Sequence, residues 1–116
     1  MIKRLDYRDK DWGRSSYVGN INGVDIWQNH IVQGGKCSIH HHKHVFNQII
    51  VLVGELRIYY FSGDDLINPS YEECLEPSEY VIIQPGVIHQ FEVLKDGIIT
   101  ELYWSNTDFD IVRHSA

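Results

Sequence analysis

Seven histidines stand in this 116-residue sequence, and four of them, His40, His41, His42 and His44, fall within five consecutive positions. Imidazole is the side chain that most readily binds a transition metal, or moves a proton, near neutral pH. In an extended strand, side chains at i and i+2 share a face, so His40 and His42 present two rings side by side while His41 points away. Two ligands do not hold an ion firmly, and a third must come from elsewhere in the chain. His89 is the candidate, because Pro85-Gly86-Val87-Ile88 delivers it just past a tight turn, ahead of the apolar same-face residues Phe91 and Val93. The tract is internal and flanked by strand-like sequence, unlike a terminal tag. On these residues alone it reads either as a metal site or as barrel histidines bonded to the backbone.

Such a site needs rigid strands to aim its rings, and the sequence supplies them. Val24-Asp25-Ile26-Trp27-Gln28 reads as a strand, and Gly34-Gly35 breaks the chain before a second one from Lys36 to His42. Ile49 to Val53 ends at Gly54, and Leu56 to Phe61 ends at Ser62-Gly63-Asp64-Asp65. Glu79 to Ile83 ends at Gln84-Pro85-Gly86. Gln90 to Leu94 and Ile98 to Trp104 are separated by Lys95-Asp96-Gly97, which has hairpin chemistry. No window shows a helical apolar stripe, so many short strands imply a sandwich or barrel. One domain over 1-116 is expected, with its core at about 20-104. The segments 1-20 and 105-116 would add an edge strand, cover a barrel mouth or cross to a partner subunit.

Bulk properties narrow the function classes. A formal charge of -6 argues against nucleic acid or an anionic membrane surface as the main partner, since both are bound through surplus Lys and Arg. No stretch approaches the roughly 20 apolar residues of a membrane span, and the charged start from Met1 to Lys10 is no secretory signal. A cytoplasmic protein is expected. Cys37 and Cys74 form no CxxC pair and read as free thiols.

Two motifs bring in a resemblance. The run Gly34-x5-His40-x-His42-x4-Asn47-x6-Gly54 resembles the first motif of the cupin superfamily, and Tyr80 to His89, ending Gly86-x-x-His89, resembles the second. Together they cover roughly residues 34-93. The resemblance implies an all-β double-stranded β-helix, or jelly-roll barrel, of a small metal-binding cupin. It implies one divalent ion on His40, His42 and His89, with position 47 as a fourth ligand. The family usually has glutamate there and this chain has Asn47, so a negative charge is missing from the ligand set. Ser78, Gln84 and Val93 also depart from the usual second motif. A shifted reading, His42-x-His44-x3-Gln48, keeps His44 as a further candidate ligand and sets Gln48 against Asn47. The spacing to Gly54 favours Asn47, which alternation places on one face with Ile49, Val51 and Val53.

A neutral ligand set leaves the ion strongly Lewis-acidic and favours anionic, bidentate small molecules. Imidazole ligands suit zinc, iron, nickel and copper without deciding among them, and manganese stays on the list of candidate ions. Tyr59, Tyr60, Phe91, Glu101 and Tyr103 are candidates to surround the ion. If the face shared by Glu101 and Tyr103 is the interior, they are the candidate catalytic pair, general base and hydrogen-bond donor. The opposite parity would turn Thr100, Leu102 and Trp104 inward. Two functions follow: a metal-dependent isomerase, lyase or oxygenase acting on a small polar or anionic substrate such as a sugar acid, or a non-catalytic module binding a small molecule or sugar. A homodimer is expected, because exposed edge strands pair readily and small cupins are commonly dimers.

Overall fold

The β-branched and aromatic runs do form strands. The computed structural model describes residues 1–105 and 111–115, and among the described residues it has nine strands and no helix. In chain order they are β1 (Arg8–Lys10), β2 (Gly13–Ile21), β3 (Val24–Ile31), β4 (His40–His42), β5 (Phe46–Phe61), β6 (Tyr71–Leu75), β7 (Tyr80–Ile83), β8 (Ile88–Trp104) and β9 (Ile111–Arg113). All their pairings are antiparallel. No helix among the described residues is long and apolar enough to cross a membrane.

Two long strands, β5 and β8, pair along almost their whole length, from Phe46↔Trp104 to Phe61↔Ile88, and they belong to both layers of the barrel. In one layer the order is β1-β2-β3-β8-β5-β7, using the start of β5 and the end of β8. The other runs β9-β4-β8-β5-β6 and uses the opposite halves. The chain passes between layers where the β5–β8 register shifts, between Val51 and Leu56. Glycine is required at that corner. A Cβ on Gly97 would sit 1.8 Å from the Val53 carbonyl oxygen, and one on Gly54, at φ 92°, would sit 2.6 Å from that of Asp96.

Several expectations are corrected here. Lys95-Asp96-Gly97 is no hairpin: it bends the continuous strand β8, because pairing with β5 on both sides outweighs its local turn chemistry. For the same reason Ile49 to Val53 and Leu56 to Phe61 are parts of one strand. Lys36 makes only an isolated bridge to Glu92, and regular pairing in that segment begins at His40. Of the three outcomes expected for 1-20, the segment takes the first: β1 and β2 add to the sheet edge beside β3, with Ser15 and Ser16 buried on β2.

Apolar side chains fill the barrel near the corner. Val51, Leu56, Val93 and Ile99 flank the bend, joined by Ile31, Ile49, Ile58, Leu75, Ile83 and Phe91. Farther along the same faces the inward residues turn polar: Asn47 on β5, Glu101 on β8, Asn29 on β3, and His42 and His89 across from them. Burying polar groups is unfavourable unless they are partnered. Their concentration at one end of the barrel marks the site.

Candidate metal centre

His40 and His89 are direct cross-strand partners, the single register pair between β4 and β8. Alternation carries His42 to the same side as His40. The ring centroids lie 4.4 Å apart for His40–His89, 5.1 Å for His40–His42 and 5.8 Å for His42–His89. One ligand nitrogen from each ring falls within 4.8 Å of the others, so the three could hold one metal ion.

The protonation states suit that role. Burial, reinforced by the neighbouring imidazoles, pushes His89 down to about 3 and His42 down to about 4; burial also lowers His40. All three rings are therefore neutral near pH 7. His89 Nδ1 lies 2.9 Å from the Val87 carbonyl oxygen, and His40 Nδ1 lies 2.8 Å from that of Ser38. A carbonyl can only accept, so each Nδ1 carries the proton and each Nε2 keeps its lone pair. Such backbone acceptors fix the tautomer and orientation of metal-binding histidines. Arg113 extends the support by donating to Ser38 Oγ at 2.7 Å.

Facing the histidines is a cavity of about 430 Å³, a size suited to a small molecule. His40 and His89 line it, together with Asn47, Glu101 and Tyr103 from the opposite layer. His42 lies deeper, its ring 5.5 Å from that of Tyr103. Glu101 is 6 % exposed, and burial raises its carboxyl above the usual range despite hydrogen bonds from Tyr103 and Asn47. Tyr103 donates to Glu101 Oε2, and its own phenol is raised by burial and by that carboxylate. A buried carboxyl with a raised pKa, beside a phenol and across from neutral imidazoles, is suited to moving protons.

Asn47 lines this cavity and Gln48 lies on the other face of β5. The Asn47 Nδ2 group reaches the Leu102 carbonyl at 3.4 Å, as well as Glu101, leaving the amide oxygen as its remaining polar group. His44 is exposed in the bend after β4 and does not join the cluster. Glu101 and Tyr103 face inward, whereas Trp104 packs outside, stacked on Phe46 at 5.6 Å. Phe91 lines the cavity. Tyr59 and Tyr60 do not, and their hydroxyls donate instead to Glu92 and Glu73.

The sequence reading missed one wall of the cavity, formed by Trp12, Ser15, Trp27 and Asn29. A signal existed: continuing the alternation of the segment read as Val24 to Gln28 puts Trp27, Asn29 and Ile31 on one face. Lys10, Lys36 and Arg113 were also missed, and they line the cavity as exposed side chains at its rim.

No family model matches the chain, and no curated protein matches its sequence. Solved structures do match its fold. A CapF structure with the inhibitor 3-isopropenyl-tropolone superposes with a TM-score of 0.76 over 97% of this chain, at 20% identity. This chain spans only 35% of that protein. KdgF from Halomonas sp. gives a TM-score of 0.70 at 13% identity, covering 89% of this chain and 90% of that one. An RmlC-like cupin from Shewanella frigidimarina gives 0.72 at 12% identity, covering 90% and 87%. The two bent strands, the double-layered antiparallel barrel and these superpositions together establish that this chain has the cupin fold.

Proposed function

We propose that His40, His42 and His89 hold one divalent metal ion, with Asn47 as a weak fourth ligand, in an enzyme acting on a small polar or anionic substrate such as a sugar acid. The observation that carries this reading is the neutral histidine triad, two of whose rings, His40 and His89, line one cavity with the buried Glu101–Tyr103 pair. A bound ion would supply Lewis acidity toward a substrate oxygen. Glu101 then takes or returns the proton, and the Tyr103 hydroxyl orients that carboxyl. Lys10 and Arg113, with Lys36 partly neutralised by Glu92, outweigh Asp11 at the rim of a chain whose net charge is -6, which favours an anion entering there. Proton transfer beside a Lewis acid suits an isomerase or lyase; an oxygenase would require a redox-active ion.

The second reading, a non-catalytic module for a sugar or other small molecule, draws on Trp12 and Trp27 in the cavity wall, where rings can stack on a ligand. We further propose a homodimer, supported by exposed Leu52, Tyr80 and Ile82 on the neighbouring strands β5 and β7. The free thiols Cys37 and Cys74 suit a cytoplasmic location.

Metal analysis of protein purified without a tag tests the centre. One ion per chain is expected, lost in both His42→Ala and His89→Ala; an ion retained in both variants would refute the assignment. Zinc- or nickel-loaded protein should turn over unsaturated or keto sugar acids, while oxygen uptake by an iron-loaded sample would indicate an oxygenase. Ligand-induced thermal stabilisation with no product would select the binding module.

A further inference from the structure

One polar group in the cavity wall has no place in the chemistry above. Asn29, on β3, is 2 % exposed, and its buried Oδ1 has no hydrogen-bond donor among the described residues. A buried acceptor left in that state opposes folding, so a side chain of this kind is expected to serve a ligand. The register pairs Asn29 with Ser15 on β2 and with Ile99 on β8, and pairs Trp27 with Glu101. Asn29 therefore lies one same-face step, about 6.6 Å, from the row that carries Trp27 and Glu101. Ser15, also buried, offers a hydroxyl beside it, and Trp12 and Trp27 line the same cavity with aromatic surface.

We infer that Asn29 is a specificity-determining residue whose Oδ1 accepts a hydrogen bond from a ligand hydroxyl, at a distal subsite shared with Ser15 and flanked by Trp12 and Trp27. This rests on the proposal that the histidines hold an ion that takes an anionic substrate; with the ligand's acidic end at that ion, it adds what the other end must be. The ligand is a polyhydroxylated carboxylate of monosaccharide size. A two-carbon hydroxy acid offers the same head to the metal but has no hydroxyl to reach Asn29.

Zinc-loaded protein titrated calorimetrically with D-gluconate and with glycolate tests the assignment, since the two share an α-hydroxy acid head and differ in the hydroxylated tail. Wild type is expected to prefer gluconate by about tenfold, the worth of one well-formed hydrogen bond. Asn29→Leu, similar in size and without the acceptor, should bring the two affinities together and leave glycolate binding unchanged. Its ligand-free melting temperature should rise by about 5 °C, because the unpaired acceptor is gone; a residue with a purely structural hydrogen bond would give a fall. If Asn29→Leu does not fold, Asn29→Ala reads the same loss of preference by removing atoms only. Equal binding of both acids by wild type, or a gluconate preference that survives the substitution, overturns the subsite and leaves the metal-end reading standing. Failure of both acids to bind wild type overturns both.

Discussion

His40 and His89 face each other across an antiparallel pair with ring centroids 4.4 Å apart, and each gives its Nδ1 proton to a carbonyl two residues earlier in its own chain segment. The backbone that forms the strands thus also aims the two imidazoles. Side chains elsewhere add support, and their removal should be measurable.

Arg113 holds Ser38 through Oγ, while the Ser38 carbonyl holds His40. Arg113→Ala should weaken metal binding by about tenfold, the low end for supports of metal ligands, and chelator competition measures it. An unchanged affinity would show that the Ser38 carbonyl keeps its place without Arg113.

Acid should destabilise the metal-free protein in a defined window. Ordinary imidazole titrates at 6.5, whereas burial holds His42 near 4 and His89 near 3. An unfolded chain takes up protons on these rings below pH 6.5 and the folded chain does not. Their contribution is therefore full above 6.5 and falls as pH drops toward 4, by up to about 1.4 kcal/mol per pH unit for each ring. Denaturant midpoints of chelator-treated protein at pH 7.5, 5.5 and 4.5 should decline accordingly, and His89→Gln should flatten the slope.

Glu101→Gln keeps the shape of the buried side chain and removes its proton-transfer capacity. Turnover should fall by roughly 10²- to 10⁴-fold while metal content stays at the wild-type level. Retained turnover would remove Glu101 from the chemistry.

At the barrel corner, Gly97→Ala places a methyl group against the Val53 carbonyl and should cost more than about 3 kcal/mol by chemical denaturation. Gly63→Ala is the control: nothing lies within 4 Å of its Cβ position, and a change within about 0.5 kcal/mol is expected.

Much of the site could be read from the chain because its determinants are local. Strand parity puts His40 with His42 and Asn47 with Ile49, and the turn at Pro85-Gly86 precedes His89; both kinds of rule need only neighbouring residues. Asn29 needed only the alternation of β3 carried one step further, whereas Ser15 and Arg113 were invisible for the opposite reason. β2 carries a register shift between Tyr17 and Gly19 that breaks its pattern, and β9 is three residues long, paired with a strand some 70 positions earlier. Lys95-Asp96-Gly97 shows a local signal losing to tertiary pairing: its turn chemistry makes a corner within a strand instead of the end of one.

The pairing of β4 with β9 has a consequence for the integrity of the centre. β4 contributes two histidines but has only one register partner on β8, and its other three pairs come from Ile111–Arg113. The backbone of Ile39, just before β4, is bonded to His114 and Ser115. Metal capture in its final geometry therefore depends on residues 111–115 being docked, and clipping that segment away would leave the imidazoles of β4 on an open strand edge.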